Sequence, residues 1–533
     1  MSRAISEYTS GLWECEARSN PDYHSYIYSK KKAIFIMAIF SDWLKDLSYE
    51  TLLGDTASQE VREVVFDSRK AAPDTVFVCM KGSNTDSHQF IPDVIAKGCT
   101  SIVVEDEASA LPVDISEINE DITIVRVKNA REALAHISAA RFGYPAEELT
   151  VIAITGTKGK TTTAHMIKQM IEADGKSAGY IGTTGVEYSG NHIPTKNTTP
   201  ESYDLQKYFR DMVDAGCSYV VLEASSQAFK LNRVSAITFD YGIFTNIEPD
   251  HIGPNEHADF EEYKYYKSCI FKQSRVGIIN KDADYAEELI EGSPCRMYTF
   301  AMKNTADFMA DKLHPVNSGD FVGIEFHVLG RTELDIKLDL PGKYNVYNAM
   351  AAISCLTLSG IHQKAILSAL RKVHVAGRTE VAFKNDNMSV LVDYAHNEMA
   401  MENLLSTLRE YEPKRLVVVF GCGGNRAKDR RYGMGKAAAE FADLSILTSD
   451  NSRFEEPEDI INDIKSTLVP AGGKFVEIPD RREAIEYAMT HAEKGDMIAV
   501  IGKGHEDYQE VKGVRTHFLD SEVIKETAKK YNL

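Results

Sequence analysis

An apolar run from Thr150 to Thr155 stops at Gly156-Thr157-Lys158-Gly159-Lys160-Thr161, and Thr162 to Ala173 then follows with helical periodicity. A strand, a glycine turn and a helix start in that order aim several backbone N–H groups and a helix dipole at one point, where an anion belongs. Gly156 and Gly159 let the backbone approach a phosphate, Lys160 can reach the β and γ phosphates, and the hydroxyl of Thr161 or Thr162 can ligate Mg²⁺. The pattern is a shorter variant of the general phosphate loop, because Ile154 occupies the place of its first glycine. Two further groups follow apolar runs. Glu223 ends Tyr219 to Leu222, at the strand end where α/β sheets place ligands, which makes it a candidate Mg²⁺ ligand. His251, in Thr245-Asn246 and Asp250-His251, follows the run Tyr241 to Thr245 and is expected near the same metal.

These groups need strands to present them, and the chain is long enough for several domains. Its 533 residues are 43% hydrophobic and 26% charged, an ordinary globular composition. Short apolar runs at Thr75 to Cys79, Ser101 to Val104 and Ile122 to Val127 predict a small first α/β domain over 37–148. The central domain is expected over 149–376, with further strands at Val276 to Ile279 and Asp335 to Leu340 and an Ala-rich helix at Tyr347 to Ser359. Beyond Gly377, the runs Ser389 to Val392, Arg415 to Phe420, Leu444 to Thr448 and Met497 to Ile501 alternate with helical stretches at Met399 to Tyr411 and Arg482 to His491. The expected class is α/β in three domains: a small N-terminal α/β domain, a central phosphate-loop domain on a mostly parallel sheet, and a Rossmann-like C-terminal domain over 377–533. Residues 1–36 read as an N-terminal extension.

A net charge of −19 opposes a nucleic-acid partner, and Lys30-Lys31-Lys32 and Lys529-Lys530 are short enough to be solvated surface. The 8 cysteines form no Cys-x-x-Cys pair, which argues against a zinc ribbon, a thioredoxin motif or a disulfide framework and fits a reducing cytoplasm. The run Ala33 to Phe40 is far short of a membrane span of roughly 20 residues, so neither a span nor a targeting segment is expected.

The loop and the motifs that follow it resemble, in order from Val64 to Glu510, those of the Mur ligases, ATP-dependent amide-forming enzymes of peptidoglycan precursor synthesis. Within that family the chain is similar to the branch that adds the third peptide residue. Lys158 stands where the family more often has Asn. The resemblance implies that Ser68, in Asp67-Ser68-Arg69, contacts the UDP part of a UDP-N-acetylmuramoyl dipeptide, and that Thr198 and Thr199, in Thr198-Thr199-Pro200, touch its muramoyl-peptide. In Glu223-Ala224-Ser225-Ser226 it implies Glu223 as metal ligand and Ser225, with Arg233, as substrate contacts. Gln227 stands where the family usually has His, and Ile252-Gly253-Pro254-Asn255-Glu256-His257 replaces the familiar Leu-Asp-Tyr-His-Gly stretch. His251 matches a Mg²⁺-ligating His. Lys267, in Tyr265-Tyr266-Lys267-Ser268 at an expected helix start, matches a lysine that is carbamylated in the family and then offers the metal an oxygen; Lys264 is a nearby rival. Asn345 and Asn348 match asparagines near the adenine, and Arg378, Asp393 and His396 match groups that close over ATP, with Arg378 suited to the charge developing on the γ phosphate.

Asp450-Asn451-Ser452-Arg453 stands where the family's diaminopimelate-adding enzymes carry Asp-Asn-Pro-Arg. An arginine forks onto a carboxylate, and meso-diaminopimelate has a distal carboxylate that L-lysine lacks. Arg426, Gly502 and Glu506 match the rest of that amino-acid site, Glu506 being suited to an ammonium group. The implied reaction transfers the γ phosphoryl of ATP, with Mg²⁺, to the D-glutamyl side-chain carboxylate, and the amine of the diamino acid then attacks the acyl phosphate. The enzyme is expected to act as a cytoplasmic monomer. The same ligase adding L-lysine, a folylpolyglutamate-synthase-like ligase and a non-catalytic nucleotide-binding module are the alternatives. The Asp-Ser-Arg motif opposes the second of these, and Glu223, His251 and Lys267 together oppose the third.

Overall fold

Val151, Ile152, Ala153 and Ile154 are all buried because the strand they form, Thr150–Thr155, is an interior strand of a sheet covered on both faces. The computed structural model describes residues 37–82, 85–119, 121–254, 256–319 and 321–533. The N-terminal extension and Asn255 of the altered loop lie outside them.

That sheet has eleven strands in the order Asn191–Ile193, Gly185–Tyr188, Ala178–Gly182, Tyr219–Glu223, Thr150–Thr155, Phe239–Phe244, Ser274–Asn280, Arg296–Ala301, Phe308–Ser318, Phe321–Gly330, Leu334–Leu338. Its two ends are antiparallel: Gly185–Tyr188 pairs with Asn191–Ile193, and Phe308–Ser318 pairs with Phe321–Gly330, which pairs with the edge strand Leu334–Leu338. The long hairpin was not among the expected strands. Its period-2 burial over Phe326 to Leu329 shows the half-covered face that an antiparallel extension allows.

A five-stranded sheet, ordered Tyr49–Leu53, Thr123–Val127, Ser101–Val104, Thr75–Val78, Glu63–Val65, forms the core of the first domain and is parallel except at Tyr49–Leu53. A six-stranded sheet, ordered Glu380–Lys384, Met388–Asp393, Asp496–Ile501, Leu416–Phe420, Leu444–Leu447, Phe475–Glu477, carries the C-terminal region and is parallel except at its first strand. Helices such as Glu398–Arg409 and Arg481–Thr490 bury their apolar stripes against it.

Three helices start two or more residues earlier than their sequences suggest. The phosphate-loop helix is Lys160–Ala173 and the Ala-rich helix is Lys343–Leu358. The helix bearing Lys267 does not open at Tyr265 but spans Phe260–Lys272, because Asp259 caps it by accepting from the Glu262 N–H at 2.8 Å. Lys267 is therefore an interior helical residue. By packing, the chain divides into two units, one running to Ala153 and including Ile181–Asp240 and Pro249–Arg275, the other comprising Ile154–Tyr180, Tyr241–Glu248 and Val276–Leu533. No helix among the described residues is long and apolar enough to cross a membrane.

Candidate active site

In the first unit the expected muramoyl groups Thr198, Thr199 and Ser225 gather around one buried carboxylate, that of Glu223. Glu223 ends its strand at 0% exposure, and its two oxygens accept from the Thr183 N–H at 3.2 Å and the Thr183 hydroxyl at 3.1 Å. The Thr183 hydroxyl also lies 3.2 Å from that of Thr198. Thr199 donates its hydroxyl to the Glu223 carbonyl at 2.8 Å and accepts from the Ser225 N–H at 3.1 Å, so Thr198, Thr199, Glu223 and Ser225 form one hydrogen-bonded cluster. Ser225 in turn caps the helix Ser226–Lys230. Arg233 donates to the Thr199 carbonyl at 3.0 Å and to Glu201 at 2.9 Å. Thr183 and Glu201 were missing from the sequence reading. Thr183 could have been found by the rule that singled out Glu223, since it follows the strand Ala178–Gly182 directly.

Lys267 is 2% exposed, with its ammonium 4.6 Å from the Tyr263 ring centroid. Its rival Lys264 pairs with Glu261 at 3.0 Å. His251 differs from both: it is 53% exposed, has a left-handed φ of 54°, and sets Nδ1 2.9 Å from Glu256. The altered loop closes on itself through the Gly253 and His257 N–H groups, which donate to the carbonyls of His257 and His251 at 3.0 Å each. This buries His257 with Nε2 2.9 Å from the Ser226 hydroxyl, beside the position of Gln227. Ser68 lies in a short helical turn capped by Asp67, whose carboxylate takes three hydrogen bonds from Arg69 and is thereby held down to about 2.

The second unit carries the phosphate loop. Gly156 and Gly159 have φ of 146° and 84°, and a Cβ on either would collide with Thr245 Oγ1 or Asn348 Oδ1 respectively. Lys160 bends back to donate to the carbonyls of Gly156 at 2.8 Å and Thr157 at 3.0 Å. The Lys158 N–H donates to Asn246 Oδ1 at 2.8 Å, and its ammonium pairs with Glu248 at 2.6 Å. Thr161 and Thr162 face inward at the first turn of the helix. Asn345 donates to the Pro341 carbonyl at 2.8 Å and accepts from Asn348 at 3.0 Å, so this pair fixes the helix that meets Gly159. Asp393 accepts from the N–H groups of Thr379 at 2.7 Å and Ala395 at 2.8 Å, while burial pushes its carboxyl up.

A cavity of about 140 Å³ in the C-terminal region is lined by Arg426, Asp450, Asn451, Arg453, Gly502 and Glu506. Ser452 is buried beside it without lining it, and His396, expected at ATP, is also among its lining residues. Arg453 adopts a left-handed φ of 53° and donates to the Gly424 carbonyl at 2.6 Å. Glu506 accepts from Asn451 Nδ2 at 2.8 Å and from the Tyr394 hydroxyl at 3.3 Å. Tyr394 and Arg430 are additional lining residues. Of the four arginines that line it, Arg431 is held by carboxylates outside the cavity, and Arg426, Arg430 and Arg453 stand with Asp450 and Glu506, which suits a ligand carrying both ammonium and carboxylate groups.

Arg431, a buried residue that also lines this cavity, pairs with Asp463 and Glu455 at 2.8 Å each. Arg431, helped by the Asn425 N–H, holds the Glu455 carboxyl down to about 2 from 4.5. A depressed carboxylate stabilises the fold above its unfolded value, and that stability is lost as pH falls through the folded one. Urea midpoints are therefore expected to drop between about pH 4.5 and about 2, and Glu455→Gln to flatten that part of the profile.

For Mg²⁺ the donor chemistry fits in part. Glu223 and Thr161 offer oxygen, Lys267 offers it only as a carbamate, and His251 offers nitrogen, which suits this hard ion less well.

Three family models match the chain: "Mur ligase family, catalytic domain" over residues 60–142, "Mur ligase middle domain" over 154–356 and "Mur ligase, glutamate ligase domain" over 377–504. The UDP-N-acetylmuramoyl-L-alanyl-D-glutamate--2,6-diaminopimelate ligase of Clostridium perfringens is 39% identical over 493 residues, covering 91% of this chain and 98% of that protein. The enzyme of the same name from Clostridium tetani is 39% identical over 487 residues, again 91% and 98% of the two chains. A solved structure of a UDP-N-acetylmuramoyl-L-alanyl-D-glutamate--2,6-diaminopimelate ligase superposes with a TM-score of 0.71 at 28% identity, covering 93% of this chain and all of that one. Folylpolyglutamate synthase from Mycobacterium tuberculosis shares the fold, with a TM-score of 0.55 at 18% identity over 68% of this chain and 91% of its own.

Proposed function

The chain belongs to the Mur ligase family, and from that premise we propose how its residues divide the work of an ATP-dependent, ADP-forming ligase that adds meso-diaminopimelate to UDP-N-acetylmuramoyl-L-alanyl-D-glutamate. The cavity set with Arg426, Arg430, Arg453, Asp450 and Glu506 carries the choice of amino acid. Two carboxylates and two ammonium groups on one small molecule match that charge pattern, and L-lysine would leave an arginine without its anion.

Residues 37–148 take the UDP end of the muramoyl substrate through Ser68, 149–376 take ATP and the peptide, and 377–533 take the amino acid. Gly156 to Thr162 hold the phosphates, with Lys160 leaving the loop carbonyls for the β and γ oxygens. Asn345 and Asn348 stand by the adenine, and Asp393 and His396 close over the nucleotide. Thr198, Thr199, Ser225 and Arg233 orient the peptide so that the D-glutamyl side-chain carboxylate faces the γ phosphorus. A carboxylate oxygen attacks that phosphorus and ADP departs, while Lys160 and Arg378 hold the charge that spreads over the transferring oxygens. The diaminopimelate amine then adds to the acyl carbon, a proton leaves the nitrogen, and inorganic phosphate is expelled. No protein nucleophile is needed.

Glu223, His251 and Lys267 as a carbamate would hold Mg²⁺, with an oxygen from the Thr161 hydroxyl, and the ion would supply positive charge to the phosphate oxygens. The Lys267 side chain is almost wholly buried in the interior of its helix, away from solvent. Because an acyl phosphate hydrolyses readily, substrate binding must bring the reacting groups into a water-free volume.

An isotope experiment tests the acyl phosphate. With ¹⁸O in the D-glutamyl side-chain carboxylate, one ¹⁸O is expected in each released phosphate. Phosphate free of ¹⁸O would exclude transfer to that carboxylate.

A further inference from the structure

We infer that Tyr394 is a positioning residue that joins the amino-acid pocket to the ATP-facing arginine, its hydroxyl serving Glu506 and its ring serving Arg378. The inference rests on the roles proposed above for those two residues and adds the group between them.

Tyr394 follows the strand Met388–Asp393 and lines the amino-acid cavity. Its hydroxyl donates to Glu506 Oε1 at 3.3 Å while Asn451 holds Oε2 at 2.8 Å, so the two donors fix the carboxylate from different oxygens. Its ring carries the Arg378 guanidinium, whose central carbon lies 4.9 Å from the ring centroid. The rings of His505 and His396 stand 5.3 Å and 4.9 Å away.

The ring has little freedom. A Cβ on Gly504 would fall 2.8 Å from the Tyr394 Cβ, and the Gly377 position is so close to the backbone of Gly504 and His505 that only glycine fits. The segment carrying Arg378 and the loop carrying Glu506 are thereby pressed together around one aromatic side chain. Arg378 Nε and His505 Nδ1 are both buried without a hydrogen-bond partner. Buried nitrogens left unsatisfied are costly, and an anion or polar ligand group arriving beside the ring would satisfy them.

An ammonium drawn to Glu506 acts on the carboxylate that Tyr394 holds, and the same ring sets the Arg378 fork. Loss of the hydroxyl should therefore weaken amino-acid binding, whereas loss of the ring should also misplace Arg378 and slow phosphoryl transfer. A residue that served packing alone would show no such split.

Steady-state kinetics of the full-length protein with Y394F, Y394L, R378K and the Y394L/R378K pair provide the test. Y394F is expected to raise KM for meso-diaminopimelate about tenfold, as for a hydrogen bond to a charged group, with a much smaller fall in kcat. Y394L should show that rise and also a fall in kcat of about tenfold, and its effect on kcat should be non-additive with R378K. Restoration of kcat by the Phe variant without restoration of KM separates ring from hydroxyl. Equal losses in Y394F and Y394L, or additive effects with R378K, would overturn the inference. Calorimetric titration of wild type and Y394F with meso-diaminopimelate reads the amino-acid half without turnover. If the wild type fails to bind it, the diaminopimelate reading falls; if the wild type binds and Y394F binds equally well, the role of the tyrosine falls.

Discussion

Lys267→Ala is expected to lower ligation by at least about 10³-fold, the upper range for removing one group that stabilises transferring charge, with no recovery at high bicarbonate. The side chain is almost wholly buried in the helix Phe260–Lys272, with its ammonium over the Tyr263 ring. An amine placed there has little value as a surface charge, since long lysines normally reach solvent. Carbamylation would convert it to an anionic oxygen donor, and alanine removes the nitrogen on which the carbamate forms. Lys264 provides the control: it is also buried and pairs with Glu261 at 3.0 Å, so Lys264→Ala removes similar packing without removing the carbamate nitrogen and should stay within a few-fold of wild type. Truncation of a buried lysine also removes packing, so the urea midpoint is measured alongside. A folded Lys267→Ala protein with full activity would remove Lys267 from the chemistry.

Arg453→Ala is expected to reduce kcat/KM for meso-diaminopimelate by roughly 30-fold, from about 2 kcal/mol, the lower bound for truncating one partner of a buried charge pair. L-lysine has no distal carboxylate to lose, so its kcat/KM should change far less and the preference between the two should narrow. Arg453 already donates one N–H to the Gly424 carbonyl, and the left-handed backbone at this position orients the fork. Arg453→Lys should recover only part of the loss, because an ammonium cannot form the paired bonds. Competition assays with both amino acids measure the ratio directly. Equal losses for the two substrates would place Arg453 away from the distal carboxylate.

Much of this was legible because it is local. The phosphate loop depends on residues adjacent in sequence, Glu223 is marked by its position at the end of an apolar strand, and Arg453 by its place in Asp450-Asn451-Ser452-Arg453. The start of the Lys267 helix was legible too but was misread: Asp259-Phe260-Glu261-Glu262 carries a side-chain acceptor three residues before a glutamate, an N-cap signal stronger than the tyrosine pair that follows. Other features depend on contacts that only folding creates. Thr183 meets Glu223 across 40 residues, His257 meets Ser226 across 31, and Tyr394 meets Glu506 across 112. Nothing in the spacing of such residues announces those pairings. The hairpin Phe308–Ser318 and Phe321–Gly330 escaped for another reason: its alternating face resembles a surface strand, and its place in the sheet is set by partners on either side.

The central claim is that this chain joins meso-diaminopimelate to the muramoyl dipeptide at the expense of ATP. Its most direct test is to incubate the purified protein with ATP, Mg²⁺ and UDP-N-acetylmuramoyl-L-alanyl-D-glutamate, offering meso-diaminopimelate or L-lysine, and to quantify tripeptide product by mass together with ADP. The expected result is one ADP per diaminopimelate-containing product, with L-lysine incorporated far more slowly. Product formed preferentially with L-lysine, or ADP released with neither amino acid joined, would contradict it.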